Sequence, residues 1–424
     1  MAALKQLKLQ GGNMRKYVFI ISLLTAALLI AGCSETKEIP TVDVGKIAEE
    51  TPSKITMNTS AAPGGEVNFA ADSQEGDSAV NSVSSSAISA DSKTESGISI
   101  AADVTVPQST EFGTYMVSSG QCSEERAREI KEILLGDVDM EFLISEVRDG
   151  VIYVWQNDKL GLDVDSRGSD IWLEGDFAIN IRNAFFAPRP GSESNVELFE
   201  QRDLDFMTRG QAVQTVTDIL DKLNIKVCDD PDIYSLDENG LKAAKIDFDE
   251  HYGSELQDFD KSSECYYIKF NARFGDIPIY NELINFQGSE MVAPNPEIIA
   301  IISADGLQYL YVNEYPSEYE LKAPVTEIIT AEEAANIAAE KYADASDMMI
   351  DINEIKLMYI YDVPDKSEFA EYNGADKMHP AWICRGSAVH YMSKEVQELR
   401  GDYTYSYTKR IDIIIDAVTG KEIL

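Results

Sequence analysis

The sequence predicts an α+β fold in which two helix-plus-antiparallel-sheet units stand in tandem behind a small α+β region and a disordered tether. Two observations predict the units: capped amphipathic helices begin near Thr208 and Thr330, and several apolar runs of strand length follow each helix. A third observation predicts the tether. Residues 34–109 are rich in Ser, Ala, Thr, Gly and acids, with Phe69 as their one aromatic residue, so they bury too little apolar surface to offset the entropy cost of ordering.

The predicted order is a leader at residues 1–32, the tether at 33–110, an N-terminal α+β region at 111–206, a first unit at 207–315 and a second unit at 316–424. In the N-terminal region, Ser123 followed by two acids predicts the start of a helix that runs to about Leu135. The remaining predicted elements there are a strand at 151–155, one or two strands within 171–181, and a loop or boundary at 187–206.

The two tandem units repeat one order of elements. In the first unit, Thr208 caps a helix with apolar residues at helical spacing, and strands are predicted at 266–274, 277–286, 298–302 and 307–312. In the second unit, Thr330 and Glu333 have the spacing of a capping box, and strands are predicted at 352–363, 381–391 and 405–415. Each helix has an apolar stripe, which we expect to pack on the sheet of its own unit.

A targeting signal occupies residues 14–33. Residues 14–16 give a basic start, residues 17–30 are apolar but too few to span a bilayer comfortably, and small residues precede Cys33. The string Ile-Ala-Gly-Cys at 30–33 resembles the lipobox of bacterial lipoproteins. The resemblance implies cleavage before Cys33, diacylglycerol (palmitate-type chains) on its thiol, and anchoring at the extracytoplasmic face of the cell membrane, as on a Gram-positive surface. The alternative is an uncleaved helix or an ordinary secretory signal in which Cys33 is incidental.

The chain is strongly acidic. It has 36 Lys and Arg against 74 Asp and Glu, a formal net charge of −38. A surface of this charge repels nucleic acid and anionic headgroups, so the sequence predicts no nucleic-acid partner. It favours cations and basic partners, and acids dispersed along a chain are also typical of an ordinary solvated surface.

The end of the second unit resembles a known domain family. An apolar strand at 411–415 is followed by a turn at Asp416–Gly420 and a short final run. With the preceding helix and strands, this order resembles the PepSY domain, and the first unit departs from it by lacking the Thr-Gly turn and by an acidic insertion at 229–263. The whole plan is similar to uncharacterised lipoproteins of Gram-positive bacteria, and more loosely to extracytoplasmic regulators of the cell-wall histidine kinase system.

The PepSY resemblance implies an inhibitory, regulatory or scaffolding role outside the cell. Its partner would be an envelope protein or a cell-wall component, and it carries over no catalytic residue and no cofactor. We therefore expect a binding protein and not an enzyme. Two alternatives stay open: a cell-wall hydrolase or its inhibitor, which would need titratable groups converging in a cleft, and a solute-binding receptor for a transporter, which would need a deep pocket.

Several local patterns qualify as candidate sites, and each also has a structural explanation. The histidines are His251, His379 and His390. His379 and Cys384 alternate to opposite faces of one predicted strand, and Cys384 lies about 20 Å from His390 along it, so no Cys–His dyad is predicted. The run at 406–409 has Ser-x-x-Lys spacing, but it falls in a predicted strand, whereas that chemistry places the lysine one helical turn after the serine.

A calcium-loop pattern occurs between residues 163 and 174. Asp163, Asp165, Gly168 and Glu174 fit its positions one, three, six and twelve, but Arg167 stands at position five, where an oxygen ligand is required. An acidic hairpin turn is therefore favoured, and no metal site is predicted.

Tyrosines and cysteines leave further alternatives open. Tyrosines alternate along three predicted strands, where they would stack on glycan, hold an extended peptide or, more commonly, pack one side of a sheet. They are Tyr309 and Tyr311, Tyr359 and Tyr361, and Tyr403, Tyr405 and Tyr407. Besides Cys33, an even number of cysteines permits either two disulfides or four buried thiols. These are Cys122, Cys228, Cys265 and Cys384.

The lipobox resemblance predicts the outcome of one substitution. Cys33→Ala removes the thiol that would carry the lipid, so we expect the precursor to stay uncleaved or to be released from the membrane. Fractionation with N-terminal sequencing measures this, and Cys122→Ala serves as a control that should be processed normally. Recovery of Cys33→Ala in the membrane with normal cleavage before residue 33 would contradict the prediction.

Overall fold

The computed structural model describes residues 84–90, 97–107, 112–147, 150–187, 195–199, 201–253, 256–281, 296–343, 348–362, 376–391 and 406–423. All of these lie in one compact unit, Ile55–Leu424. The leader, Cys33 and most of the predicted tether lie outside the described residues. No helix within the described ranges is long and apolar enough to cross a bilayer.

The described elements are mainly strands. In chain order they are β1 (Ser84–Ala90), β2 (Gly97–Val106), β3 (Phe112–Ser118), α1 (Glu124–Leu135), β4 (Glu141–Val147), β5 (Gly150–Gln156), β6 (Leu160–Asp165), β7 (Ile171–Gly175), α2 (Asp176–Phe185), α3 (Arg209–Lys222), β8 (Asp232–Leu236), α4 (Glu238–Tyr252), β9 (Cys265–Asn271), β10 (Arg273–Phe274), β11 (Ile277–Pro278), β12 (Glu297–Ser303), β13 (Gly306–Asn313), β14 (Glu318–Val325), α5 (Ala331–Tyr342), β15 (Met348–Tyr361), β16 (Asp376–Tyr391) and β17 (Ser406–Asp416).

The helix starts follow from capping chemistry that the sequence displays. The side chains of Thr208 and Thr330 accept from the backbone N–H groups three residues later, and each forms a full capping box with the side chain there. Ser123 caps α1 by accepting from the N–H of Arg126, without a capping box. These three helices are confirmed predictions, because each cap supplies an acceptor for an N–H group that has no partner within the helix.

The larger sheet is antiparallel, with eight strands in the order β4-β5-β6-β7-β13-β12-β9-β8. Helices cover both faces: α1 and α3 contribute to the core on one face, and α2 and α4 to the core on the other. This explains why β12 is apolar along its length, since Ile298 and Ile299 face opposite cores and both are buried. A strand covered on both faces has no solvent side to favour alternation.

The second sheet has seven strands in the order β1-β2-β15-β16-β3-β14, and β17 also pairs with β16. Helix α5 packs on one face through Ala334, Ala335 and Ala338, whose small side chains lie against the apolar residues of β2, β15, β16 and β17. The indole N–H of Trp382 donates to the carbonyl of Ile329 at 2.9 Å and ties the chain before α5 to this sheet.

The predicted fold class, an α+β arrangement of tandem PepSY-like units, is wrong. Strands of each predicted unit pair with strands outside it: β13 pairs with β7, β15 pairs in parallel with β2, and β16 begins alongside β3. Each unit taken alone would leave a strand edge with unpaired N–H and C=O groups, which these ladders satisfy. The result is two large sheets, each of which combines strands that precede residue 206 with the strands of one predicted unit.

Two segment predictions are also corrected. Residues 176–181, predicted as strand, form the first half of α2, in which Ala178 and Ile181 are buried on one helical face. Residues 97–106, assigned to the disordered tether, form β2, in which Ile98, Ile100 and Val104 are buried at alternate positions. The Ser- and Ala-rich composition of the surrounding segment obscured this short alternation of buried and exposed residues. Strand β1, which pairs with β2, lies in the same Ser- and Ala-rich segment.

The strand predicted at 277–286 is shorter in the structure, where β11 ends at Pro278. Residues 282–295 lie outside the described part.

The close approach of two strands requires a glycine at one position of the second sheet. A Cβ atom on Gly386 of β16 would lie 1.8 Å from the carbonyl oxygen of Asp351 on β15. The register of β15 shifts between Ile352 and Glu354, directly beside this contact. Only glycine permits the two strands to approach so closely at the bulge.

We expect Gly386→Ala to destabilise the protein by about 3 kcal/mol, because the new methyl group must push β15 away from β16. Gly210→Ala is the matched control. Gly210 lies in α3 with open space at the Cβ position, so that change should stabilise by about 1 kcal/mol through helix propensity. Urea unfolding measures both values, and equal stability of the two variants would contradict the proposed close approach.

Candidate functional site

A group of acidic and aromatic side chains lies side by side on one face of the eight-stranded sheet. Asp163 of β6 is opposite Trp172 of β7, which is opposite Tyr311 of β13. In the adjacent row, Glu174 is opposite Tyr309. Side chains at directly opposed positions have Cβ atoms about 5 Å apart. Together with Arg182 of α2, these residues are called the acidic–aromatic patch: Asp163, Trp172, Glu174, Arg182, Tyr309 and Tyr311.

Helix α2 covers one row of this patch and leaves the other partly open. The helix begins immediately after β7 and folds back on the sheet, so Arg182 donates to Glu174 at 2.6 Å and its guanidinium lies 4.8 Å from the Tyr309 ring centre. Tyr309 is consequently buried, at 1% exposure. Asp163, Trp172 and Tyr311 remain half-buried. The ring centres of Trp172 and Tyr311 are 5.9 Å apart in an edge-to-face arrangement.

Burial shifts the acid–base properties of the patch. It raises the pKa of Asp163 to about 6, and the nearby negative charge of Glu174 adds to this shift. Burial likewise raises the pKa of Glu174, and the Arg182 guanidinium counteracts the rise. Burial raises the pKa of Tyr311 to about 12. At neutral pH the Asp163 carboxyl is therefore largely ionised and poorly solvated, beside the ion pair of Glu174 and Arg182.

This arrangement is suited to a cation beside an apolar ring. An ammonium group near Asp163 would replace the hydration that the carboxylate lacks, and the faces and edges of Trp172 and Tyr311 offer cation–π and stacking contacts. Arg182 pairs with Glu174 and lies over the Tyr309 ring. It therefore compensates the charge of Glu174 and leaves the charge of Asp163 available to a ligand.

The calcium-loop residues are placed as the favoured interpretation predicted. β6, a turn and β7 form a hairpin, in which Asp165 accepts two hydrogen bonds from the Arg167 guanidinium and one from its backbone N–H. The acidic hairpin is confirmed. Among the residues that the structure describes, no group of three or more His, Cys, Asp or Glu side chains is arranged to hold a metal ion.

A second cluster surrounds His379 at the end of the seven-stranded sheet. Its Nδ1 lies 3.0 Å from Asp362, and its Nε2 lies 3.6 Å from Asp416, beyond hydrogen-bonding distance. Lys377 pairs with Asp362 at 2.6 Å, and hydrogen bonds from both His379 and Lys377 hold the pKa of Asp362 below its usual value, against the effect of burial. Asp416 also accepts from Val418 N–H in its turn. The cluster ties three strand ends together.

The other sequence candidates are dispersed. Cys384 faces the core under α5 while His379 lies on the opposite face of β16, which confirms that they form no dyad. His251 is exposed beside Tyr252 at the end of α4. The run at 406–409 belongs to β17, as predicted. The side chains of His390 and Ser406 lie outside the described part, as does Cys33.

The structure distinguishes between two disulfides and four free thiols. Cys122, Cys228, Cys265 and Cys384 are all free thiols. Burial raises the pKa of Cys228 and of Cys384 to about 12 in each case, so both stay protonated at neutral pH. Buried, protonated thiols behave as small apolar side chains and are poor nucleophiles.

Of the tyrosines that alternate along predicted strands, some lie in the core and one is partly accessible. Tyr359 and Tyr361 are buried in the core to which α1 and α3 contribute, and Tyr309 lies under Arg182. Tyr311 alone among these four keeps part of its ring accessible. Tyr403 and Tyr405 lie outside the described residues, and so does the side chain of Tyr407.

A small cavity is a further candidate. Its volume is about 170 Å³, and its lining includes Ser118, Arg167, Ser169 and Tyr361. Ligand pockets commonly span about 300–1,000 Å³, so this cavity is smaller than a solute receptor's pocket. Arg167 there is half-exposed and bound to Asp165, which neutralises the group that would attract an anion.

Sequence reasoning missed the patch because it considered Asp163 and Glu174 only as positions of a calcium loop or of an acidic hairpin turn. Trp172 and Arg182 were not singled out at all. The available signal was alternation within the hairpin, which puts Trp172 and Glu174 on the same face of β7 as Asp163 on β6. The contribution of Arg182 required knowing that α2 begins at Asp176.

Comparisons with known proteins show the fold but no family. No protein-family model matches the chain, and no curated protein matches its sequence. A crystal structure of an uncharacterised protein from Eubacterium rectale ATCC 33656 is similar, with a TM-score of 0.55 and 15% sequence identity, covering 80% of this chain and 93% of that one. At this identity the likeness concerns the fold alone.

The raised pKa of Asp163 predicts a pH dependence of stability. Because its folded pKa of about 6 exceeds the usual 3.8, the folded protein retains a proton between about pH 4 and 6 that the unfolded chain has lost. The free energy of unfolding should therefore fall as pH rises through this window, by about 2 kcal/mol from this group. Asp163→Asn should remove that contribution.

The measurement is urea unfolding of wild type and variant at pH 4 and pH 7.5. Asp137→Asn, at an exposed carboxylate after α1, is the control and should keep the wild-type difference between the two pH values. If Asp163→Asn shows the same pH dependence as wild type, burial of the Asp163 charge is not the cause.

Proposed function

We propose that this chain is a lipid-anchored, extracytoplasmic binding protein whose acidic–aromatic patch holds a cationic ligand of the cell envelope. The observation that carries the proposal is the half-buried Asp163 carboxylate beside the partly open rings of Trp172 and Tyr311. The lipobox resemblance at residues 30–33 supports the anchor, and the net charge of −38 supports a cationic ligand.

An amino-bearing sugar of the cell wall has the chemistry that fits this patch. Its ammonium group would pair with Asp163, and its ring would stack on the accessible parts of Trp172 and Tyr311. Binding an ammonium ion favours the ionised form of Asp163, so affinity should fall as pH drops through about 6.

The test compares two ligands that differ by one ionisable amine in each sugar unit. Full-length protein in detergent is titrated calorimetrically with glucosamine oligomers and with N-acetylglucosamine oligomers of the same length. We expect tighter binding of the amino form at about pH 6.5, where the Asp163 carboxylate and a large share of the sugar amines are both charged, and a loss of about ten-fold in Asp163→Asn, the size of one charge-assisted contact. Asp137→Asn is the control and should bind as wild type does.

Equal affinity for the charged and acetylated oligomers would contradict a cation site. Unchanged glucosamine binding in Asp163→Asn would place the ligand elsewhere on the protein. A pH profile that stays flat between pH 5 and 7.5 would exclude Asp163 as the group that pairs with the ligand.

One observation favours a second candidate, a cell-wall hydrolase. A carboxyl group with a pKa of about 6 beside a second carboxylate is the kind of pair that glycoside cleavage uses, one as acid and the other as base or nucleophile. Incubation with purified peptidoglycan distinguishes the two candidates. Release of reducing ends by wild type, lost in Asp163→Asn, would make the patch catalytic, and binding without release would leave it a binding site.

A further inference from the structure

Strand β4 forms one end of the eight-stranded sheet and is unusually accessible. All seven of its residues except Phe142 are exposed. Leu143, Ile144 and Val147 are exposed aliphatic side chains, with Ile144 at 51%. The strand pairs with β5 residue by residue without a bulge. Its outer edge presents a regular row of backbone N–H and C=O groups, for which no partner occurs among the described strands.

The edge strand β14 of the seven-stranded sheet is protected against strand addition. Its register with β3 shifts between Leu321 and Ala323, and Pro324 follows, so the strand is bulged and lacks one N–H donor. Lys322 adds an exposed charge. Bulges, prolines and lysines are the usual means of preventing another strand from pairing with an edge.

The remaining edges with described side chains are also blocked. β8 is covered, because the Ser235 hydroxyl donates to the carbonyl of Arg202 and accepts from its N–H. β17 carries exposed Lys409 and Arg410, and the chain after it turns back so that Ile423 N–H donates to the β17 carbonyl of Ile414. β4 has none of these protections.

The surroundings of β4 are acidic. Residues 137–147 contain Asp137, Asp139, Glu141 and Glu146, all exposed, and no Lys or Arg. The adjacent helix α1 adds four exposed acids, namely Glu124, Glu125, Glu129 and Glu132. Glu124 pairs with Arg128, which lies over the Phe142 ring, and Glu129 pairs with Arg126. Acids still outnumber cations around β4, so an added strand would meet a net negative charge.

We propose that β4 is a docking site for an extended segment of another protein, which carries aliphatic residues together with Lys or Arg on both of its faces and adds as a ninth strand. Main-chain hydrogen bonds to the free edge would supply affinity. Aliphatic side chains of the segment would cover Leu143 and Val147 on one face and Ile144 on the other, and its cations would pair with Glu141 and Glu146.

Charge decides between this occupant and a second copy of the chain. Two copies would bring together two edges that each carry Glu141 and Glu146, on chains whose net charge is −38. Like charges across a strand pair are destabilising, and the long-range repulsion slows their encounter. A basic segment meets neither obstacle.

The test uses full-length protein in detergent and a blocked seven-residue peptide in which pairs of valines and pairs of lysines alternate, so that each face of the extended peptide carries both residue types. We expect hydrogen–deuterium exchange to show new protection of the β4 amides and none in β14. Ile144→Lys should weaken binding about ten-fold, by loss of an apolar contact and by repulsion of the peptide's lysines. Leu321→Lys on β14 is the matched control, because Leu321 is 53% exposed on an edge strand, and it should leave the affinity unchanged.

Further variants keep the proposal falsifiable if Ile144→Lys folds poorly. Glu146→Lys should weaken the basic peptide and strengthen one in which glutamate replaces lysine. A peptide N-methylated at alternate residues should lose binding, since it keeps the side chains but lacks half of the donors. Asp163→Asn should bind the peptide normally, which separates this edge from the sugar site.

Three results would overturn the proposal. The first is equal binding by the N-methylated peptide, which would mean that no strand is added. The second is an equal effect of Ile144→Lys and Leu321→Lys. The third is a dimer in solution that Ile144→Lys converts to a monomer, because the edge would then be covered by a second copy.

Discussion

Backbone pairing between β7 and β13 joins the two halves of the eight-stranded sheet. Four residue pairs form this ladder, from Tyr309 opposite Glu174 to Val312 opposite Ile171. Without it, β7 would end a four-stranded meander and β13 would end a second sheet, and both would expose unpaired backbone groups beside buried apolar side chains. The same ladder brings Trp172 to Tyr311. The acidic–aromatic patch therefore exists only because these two strands, far apart in sequence, are neighbours.

Because this sheet is buried on both faces, its two patch carboxylates, Glu174 and Asp163, differ in how their charges are compensated. Glu174 lies under α2 and is compensated by Arg182, as a nearly buried carboxylate must be. Asp163 lies one row away, where α2 no longer covers the sheet, and its charge costs folding free energy without an equivalent partner. A partly open carboxylate with such a cost differs from a structural ion pair, and this difference is why the proposed function is placed at Asp163.

Local chemistry in the sequence was sufficient to predict the starts of α1, α3 and α5 and most long strands. It missed α2 and α4, and it was insufficient to predict how the elements assemble. Thr208, Thr330 and Ser123 signal their helices because a cap is a contact within four residues. The partner of β15 is β2, more than 200 residues earlier, and no local pattern specifies such a pairing. The run from Gly97 to Val106 was read as tether because composition was averaged over a long segment, although its alternation is that of a strand.

The patch and the β4 edge lie on one continuous row of the sheet. Leu143 of β4 is opposite Val154, Val154 is opposite Asp163, and Asp163 is opposite Trp172. A strand added beside β4 would extend this row by one position, so its side chains would stand on the same face as the patch, about 15 Å from Asp163 at the usual spacing of neighbouring strands. The proposed attraction of cations has the same cause at both surfaces, namely acidic side chains beside accessible apolar groups. A ligand that engaged both would gain from effective concentration, because the second contact would no longer cost a separate loss of translational freedom.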